Sequence, residues 1–237
     1  MIKAIILAAG KGERLGKITR LTPKPMLKVK GEIILEHNIK WLRSFGIKNI
    51  YINLHYLPKA IMNYLKYGEY LGVNINYSFE PKILGTAGAV RKIAKNWKTP
   101  FLVIYGDNFY PFNYNLNDFI VFSSKRDAMI SIGLYRKKKE ISKSGVVLLS
   151  RGNKIIDFKE KPLLSSGGLA SNKDILINTG IYLLRSECIN YIPRGYSDFG
   201  KDIFPVLVKM GIPIYGYVFK KSLVPIDTIE LYKKVAI

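Results

Sequence analysis

The sequence predicts an α/β fold in which helices cover both faces of a mainly parallel sheet. In the first half of the chain, short apolar runs alternate with stretches whose apolar residues recur at helical spacing. Glycine or proline separates most of these stretches. The alternation indicates strand–helix units, because two parallel strands need a crossover connection, which is usually a helix.

The predicted elements follow one another in a regular order. In the first half the apolar runs predict strands at 2–8, 48–54, 74–79 and 101–105. Helical spacing predicts helices at 33–45, 59–70 and 87–96. The second half is richer in strands, at 128–135, 146–149, 154–158, 178–184 and 214–219, with helices at 203–210 and 228–235. We find no linker and predict one domain over residues 1–237.

Composition excludes several classes of protein. Apolar residues make up 48% of the 237 residues and charged residues 23%, values typical of a globular protein rather than a disordered one. No apolar run is long enough to span a membrane, and we expect a cytoplasmic location. A single cysteine, Cys188, excludes a disulfide within the chain, and two histidines make a histidine-rich metal site improbable.

The net charge of +21 favours anionic partners. Nucleic acid, an anionic membrane and phosphorylated small molecules all satisfy this condition. The cationic residues are scattered, and the short cluster at 136–139 is interpreted as a solvated turn. No nucleic-acid recognition motif or arginine-dense helix accompanies the charge, so charge alone does not choose among these partners.

A glycine-rich loop, Gly10-Lys11-Gly12-Glu13-Arg14-Leu15-Gly16, follows the first predicted strand. It lacks the Gly-Lys-Ser/Thr ending of a P-loop, and Leu15 stands where the dinucleotide fingerprint needs glycine. Arg14 offers a planar fork for phosphate, and Lys24 lies between two prolines that restrict its backbone. Composition leaves two interpretations open, a phosphate-binding loop or a solvated surface loop.

Residues 7–15 together with 22–27 resemble the signature of the sugar nucleotidylyltransferases. The resemblance is closest to mannose-1-phosphate guanylyltransferases and bacterial relatives acting on heptose phosphate or N-acetylmuramate phosphate. It implies a Rossmann-like three-layer α/β/α nucleotidyltransferase fold with a mixed, mainly parallel central sheet. It also implies that Arg14 and Lys24 contact a triphosphate. Glu13 departs from the threonine that many members carry there.

The resemblance continues on the nucleotide side. Gly85-Thr86-Ala87 opens a predicted helix, where the alternative is tight helix packing. Asp107 follows the strand predicted at 101–105 and is implied to bind Mg²⁺, where the alternative is a simple turn. The nucleotide-binding residues implied by the resemblance are Leu7, Ala8, Ala9, Gly10, Gly12, Arg14, Lys24, Glu80, Gly85, Thr86, Ala87 and Asp107.

A second set of residues is implied to bind the sugar phosphate. Glu160 and Lys161 occupy a Glu-Lys-Pro motif, and Gly145 and Asn178 match sugar-side positions of the family. Asn178 has the alternative of satisfying buried backbone groups. Asp227 is implied as a second metal ligand, with helix capping as its alternative. The nucleotide-facing half is then about 1–125 and the sugar-phosphate-facing half about 126–237.

The resemblance implies an enzyme that joins a nucleoside triphosphate to a sugar 1-phosphate and releases pyrophosphate. The catalytic residues would be Arg14, Lys24, Asp107 and Lys161. Guanine with mannose 1-phosphate is the first choice, and uridine or thymidine with glucose 1-phosphate, or cytidine with another phosphorylated alcohol, stay open. The rivals are a non-catalytic regulatory subunit of the same fold and a nucleic-acid binder. We expect no nucleic-acid or membrane partner and no C-terminal β-helix domain, and leave a homo-oligomer open.

Overall fold

The computed structural model describes residues 2–137, 145–160, 175–221, 223, 226 and 228–236. Its strands are β1 (Lys3–Leu7), β2 (Lys28–Val29), β3 (Glu32–Ile33), β4 (Asn49–Leu54), β5 (Asn74–Phe79), β6 (Phe101–Tyr105), β7 (Ile130–Lys137), β8 (Val146–Leu149), β9 (Ile155–Lys159), β10 (Ile175–Leu184) and β11 (Ile214–Val218). Its α-helices are α1 (Ile34–Ser44), α2 (Pro58–Leu65), α3 (Gly85–Ala94), α4 (Leu116–Ser124), α5 (Phe204–Lys209) and α6 (Ile229–Val235). The chain divides into two compact units.

The first unit comprises Met1–Leu84, Phe101–Asn113 and Leu223–Ile237. Its strands pair in the order β6-β1-β4-β5, all parallel. Strand β1 pairs on both edges, since Ala4 is in register with Ile50 of β4 and with Leu102 of β6. The side chains of β1 from Ala4 to Leu7 are buried, which explains why its sequence is a continuous apolar run.

The second unit comprises Gly85–Pro100 and Tyr114–Ser222. Here β7 pairs with β11 in parallel and with β10 in antiparallel orientation, while β8 pairs with both β10 and β9. Its core contains three aromatic side chains in mutual contact, Tyr182, Phe199 and Phe204. The predicted combination of parallel and antiparallel pairing is therefore present within the described residues.

Helix α1 buries one apolar face in the core of the first unit. Ile34, Leu35, Ile39 and Leu42 are fully buried on that face. The spacing is that of an amphipathic helix packed on a core. The chain leaves the helix at Gly46, whose φ of 76° is available to glycine without strain.

Two helix predictions are corrected. The helix predicted at 59–70 ends at Leu65, because Lys66 and Gly68 adopt φ of 47° and 86° and begin a separate turn. Helix α4 was not predicted from the sequence. It begins after Asn115, whose Oδ1 accepts hydrogen bonds from the N–H groups of Asn117 and Asp118. The helices of the described residues are all too short or too polar to cross a bilayer.

Candidate active site

A cleft of about 490 Å³ lies in the first unit, where β1 and β6 end side by side. The carboxyl ends of adjacent parallel strands are the usual ligand position in such sheets. Nine of the described residues line the cleft: Gly10, Lys11, Gly12, Glu13, Arg14, Leu15, Lys24, Ile83 and Asp107. The structure therefore brings together five residues predicted for the nucleotide, Gly10, Gly12, Arg14, Lys24 and Asp107.

The glycine-rich loop has a defined conformation. Gly12 has φ of 65°, and a Cβ built on it would lie 3.0 Å from Thr19 Cγ2 and 3.1 Å from Lys24 Cβ. Thr19 Oγ1 donates to the carbonyl of Gly12 at 3.0 Å, and Leu15 N–H donates to the same oxygen at 2.9 Å. Glycine at position 12 is thus needed for both backbone conformation and close packing.

Lys24 forms an ion pair with Asp107 inside the cleft. Its Nζ lies 2.8 Å from Asp107 Oδ2, although 83 residues separate the two. The Lys24 side chain is 5% exposed and that of Asp107 35%. A buried ammonium group needs a charged or hydrogen-bonding partner, so Asp107 stabilises Lys24 in this position.

The carboxylate of Asp107 has the chemistry of a Mg²⁺ ligand. Mg²⁺ commonly takes one or two protein carboxylates and completes its shell with water and substrate phosphate oxygens. Across the described ranges, no cluster of three or more His, Cys, Asp or Glu side chains could hold a metal ion. Asp107 together with water and substrate phosphate oxygens would give Mg²⁺ the ligands that it commonly takes. Asp227, the predicted second ligand, lies outside the described residues.

Glu80, predicted to bind the nucleotide, is fully buried. Its Oε1 accepts from Asn53 Nδ2 at 2.8 Å, and its Oε2 accepts from Leu84 N–H at 2.9 Å. Asn53 Oδ1 in turn accepts from Ala8 N–H at 2.7 Å. Glu80 therefore joins the end of β1 to the segment before α3, and its contact with a nucleotide stays a prediction. The sequence analysis missed Asn53, a polar residue inside an apolar strand.

The predicted nucleotide-binding residues Gly85, Thr86 and Ala87 lie in the second unit, at the start of α3. The N–H groups of Ala87 and Gly88 donate to the carbonyl of Ser197 at 2.9 and 3.2 Å. These two donors of the helix N-terminus are therefore already hydrogen-bonded within the protein. This favours the alternative of tight packing for this part of the helix.

Thr86 is held by a residue that the sequence analysis missed, Asp198. Thr86 Oγ1 donates to Asp198 Oδ2 at 2.9 Å and accepts from Phe199 N–H at 2.8 Å. Asp198 Oδ1 accepts from Gly200 N–H and Lys201 N–H at the start of the following turn. The signal in the sequence was an acidic residue two positions before a glycine, in front of a predicted helix.

Replacing Gly85 with alanine is expected to destabilise the second unit strongly. Gly85 has φ of 73°, and its added Cβ would lie 2.3 Å from the backbone oxygen of Ser197. Gly211 is a matched control, since its φ is 74° and no atom lies within 4 Å of its built Cβ. Gly211→Ala should cost about 1 kcal/mol from backbone strain. Gly85→Ala should cost at least about 2 kcal/mol more from the clash, measured by urea unfolding. Equal losses would contradict the packing role.

The sugar-side residues Gly145, Glu160 and Asn178 all lie in the second unit, and Lys161 lies outside the described residues. Glu160 Oε2 occupies the space that a Cβ on Gly145 or Gly200 would need, at 2.8 and 2.5 Å. The absence of a side chain at Gly145 thus accommodates Glu160. Asn178 Nδ2 donates to Tyr182 Oη at 2.8 Å, and its Oδ1 accepts from Gly180 N–H at 2.9 Å.

A comparison with family models identifies the family of this chain. The family model described as nucleotidyl transferase matches residues 3–223. The chain belongs to the nucleotidyl transferase family. The predicted family resemblance is thereby confirmed.

Three relatives are identical to the chain at about a third of the aligned positions. It is 36% identical over 229 residues to a UTP–glucose-1-phosphate uridylyltransferase of Synechocystis sp., covering 91% of this chain and 57% of the relative. It is 33% identical over 213 residues to a mannose-1-phosphate guanyltransferase of Yarrowia lipolytica, covering 87% and 55%. It is 33% identical over 189 residues to a D-glycero-α-D-manno-heptose 1-phosphate guanylyltransferase of Campylobacter jejuni, covering 80% and 78%. The first two are thus matched over little more than half their length.

Solved structures confirm the predicted fold class. The crystal structure of HddC from Yersinia pseudotuberculosis superposes with a TM-score of 0.82 at 24% identity, covering 100% of this chain and 98% of that one. HddC complexed with GMP-PN gives a TM-score of 0.80. At this identity the likeness concerns the α/β fold with its mixed, mainly parallel sheet.

Proposed function

We propose that this member of the family is a sugar-1-phosphate nucleotidylyltransferase, which joins a nucleoside triphosphate to a sugar 1-phosphate and releases pyrophosphate. The Lys24–Asp107 pair carries the proposal. It places a buried cation and a carboxylate together in a glycine-rich cleft at the ends of two parallel strands. Transfer between two polyanions needs both kinds of charge, one for phosphate oxygens and one for a metal.

The roles of the side chains follow from what the reaction requires. The sugar phosphate is already an anionic nucleophile near neutral pH, so no general base is needed. Arg14 and Lys24 would bind the triphosphate and stabilise the charge on the departing pyrophosphate. Asp107 would hold Mg²⁺, and Mg²⁺ would neutralise charge where the two phosphates meet. The backbone of the Gly10–Gly12 turn would lie against the triphosphate.

The sugar phosphate is assigned to residues of the second unit. Glu160 would bind sugar hydroxyls, with Asn178 as a second polar contact. Lys161 follows Glu160 directly and would bind the sugar phosphate. Asp227 would bind the same Mg²⁺ ion as Asp107. The roles of Lys161 and Asp227 rest on the family motif, since both lie outside the described residues.

The substrates are tested by a matrix of four nucleoside triphosphates against several sugar 1-phosphates, scored by pyrophosphate release with and without Mg²⁺. GTP with mannose 1-phosphate remains our first choice, because guanylyltransferases acting on mannose and heptose phosphates are among the relatives. The uridylyltransferase relative supports UTP with glucose 1-phosphate as the alternative. No pyrophosphate with any pair would favour the regulatory-subunit alternative. The cytoplasmic location, the absence of nucleic-acid and membrane partners, and the oligomeric state stay predictions.

Gly200→Ala is expected to weaken use of the sugar phosphate with little loss of stability. The added Cβ would lie 2.5 Å from Glu160 Oε2, and a flexible side-chain end can move aside. Moving it should raise the KM for the sugar phosphate about tenfold, in line with the loss of one charged hydrogen bond, while the KM for the nucleotide stays within about twofold. Gly152→Ala is the control, because no atom lies within 4 Å of its built Cβ. An unchanged sugar-phosphate KM in Gly200→Ala would contradict the role of Glu160.

A further inference from the structure

Helix α1 holds the segment that follows Asp107 through three hydrogen bonds and one ring stack. Asn38 Nδ2 donates to the carbonyl of Asn108 at 2.7 Å, and Asn38 Oδ1 accepts from Tyr110 N–H at 3.4 Å. His37 Nε2 lies 2.7 Å from the carbonyl oxygen of Tyr110. The Tyr110 ring stacks on Trp41 with 5.0 Å between centroids. The backbone on both sides of residue 109 is therefore fixed from one helix.

Among these contacts, His37 is a titratable group that also lies against a carboxylate. Its ring is 3% exposed and stacks on Phe109 with 3.8 Å between centroids. Its second nitrogen, Nδ1, lies 2.7 Å from Glu32 Oε2. Of the nine residues that line the adjoining cavity, Lys30, Glu32 and His37 carry or can carry charge. The Nζ of Lys40 lies 3.9 Å from the other carboxylate oxygen of Glu32, Oε1.

Hydrogen-bond chemistry fixes the number of protons in this chain of contacts. A backbone carbonyl can accept but not donate, so Nε2 must carry a proton to bond Tyr110. An ionised carboxylate also only accepts, so a second proton must lie between Nδ1 and Glu32 Oε2. Without that second proton, two lone pairs would face each other across 2.7 Å. The arrangement is complete only while both protons are present.

We propose that Glu32 and His37 form a proton-dependent positioning pair, which holds the Asp107 segment in its active geometry. The inference rests on the proposed function and adds a way in which pH controls its rate. Catalytic groups must be held to a fraction of an ångström, and residues behind them supply that restraint. Loss of the shared proton leaves the Nδ1 lone pair facing the Glu32 carboxylate, and their repulsion displaces the ring whose Nε2 bonds Tyr110, three residues after Asp107. Turnover then falls as pH rises, while substrate binding through the glycine-rich loop is retained.

The test combines two measurements that do not depend on catalysis, NMR and hydrogen exchange, with a measurement of turnover. Nitrogen NMR of protein labelled at histidine reports the protonation of both rings, and the His37 signals are assigned by their absence from His37→Gln. Hydrogen exchange of peptides covering 108–113 reports how firmly the segment is held. Turnover with its kcat and KM is recorded over the same range, from about pH 6 to pH 10.

Glu32→Gln is the informative variant, because an amide can donate to an unprotonated Nδ1 and needs no titrating proton. Glu36→Gln is the matched control, since Glu36 is also a carboxylate paired with Lys40 but makes its hydrogen bonds to Lys40 and Tyr64. In wild type and Glu36→Gln, loss of the second ring proton should coincide with about a tenfold drop in exchange protection and in kcat. In Glu32→Gln, exchange protection and kcat should both stay constant over the same pH range.

The outcomes separate the pair from the proposed function. A His37 ring that carries one proton throughout would overturn the pair, as would proton loss without a change in exchange or in kcat. A fall that is the same in Glu32→Gln as in wild type would also overturn it. If no substrate pair yields pyrophosphate, the proposed function fails. The ring and exchange measurements would still decide whether the pair holds the segment.

Discussion

Asp107→Asn is expected to lower kcat by about 10³-fold, or about 4 kcal/mol of transition-state stabilisation, while the fold persists. The amide keeps the shape of the carboxylate and one oxygen within reach of Lys24, but it loses the charge that would hold Mg²⁺. Lys24, with a side chain only 5% exposed, then has a weaker partner, which should cost about 1 kcal/mol of unfolding free energy. Pyrophosphate release and a urea unfolding curve measure the two effects separately.

Asp157→Asn is the control for this change. Asp157 also pairs with a lysine, since Lys159 Nζ lies 3.4 Å from its Oδ2. Both side chains of that pair are about half exposed, and exposed pairs contribute little. We expect unchanged kcat and stability. Full Mg²⁺-dependent turnover by Asp107→Asn would rule out the assignment of Asp107 as the metal ligand.

The location of the cleft could be predicted from the sequence, because strand order and strand ends determine it. Gly10 and Asp107 both follow apolar runs that form adjacent parallel strands, β1 and β6. Carboxyl ends of such strands lie at one edge of the sheet, so loops distant in sequence meet there. The family motif then supplied roles for the residues in those loops.

Partners of the polar side chains could not be predicted in the same way. The sequence analysis assigned Lys24 to phosphate and Asp107 to metal, and the structure pairs them with each other. It placed Glu80 near the nucleotide, which stays a prediction, and did not foresee the hydrogen bond from Asn53 to its buried carboxylate. Such pairings depend on distances across the fold and on burial, and a motif contains neither.

Local sequence was misleading where tertiary packing outweighed intrinsic preference. Helix α4 contains Phe119-Ile120-Val121-Phe122, and these aromatic and β-branched residues favour strands. Its helical conformation depends on the cap at Asn115 and on burial of Leu116 and Phe119, which lie three residues apart on one face. Asn115 was the available signal, because asparagine before an apolar helical pattern is typical of a helix start.

Lys24→Met is expected to lower catalysis with a smaller loss of stability than Asp107→Asn. Methionine keeps the buried, unbranched stem that packs against Gly12 but removes the charge. We expect kcat/KM for the nucleoside triphosphate to fall about 10²-fold, the size expected for removing one group that stabilises transferring phosphate charge. The unfolding free energy should change by less than about 1 kcal/mol, because methionine removes the buried charge and the Asp107 carboxylate that loses its partner is 35% exposed and can be hydrated.

The smaller loss of stability in Lys24→Met than in Asp107→Asn follows from solvent exposure. Removing Lys24 leaves Asp107, which is 35% exposed and can be hydrated, whereas weakening Asp107 leaves an ammonium that is 5% exposed. Lys28→Met, at an exposed position in β2, removes one charge from the same total of +21 and controls for long-range attraction of anions. It should leave kcat/KM within about twofold, since a single distant charge is screened by salt. If Lys28→Met and Lys24→Met lowered kcat/KM equally, the effect would come from net charge, and Lys24 would have no direct contact with the triphosphate.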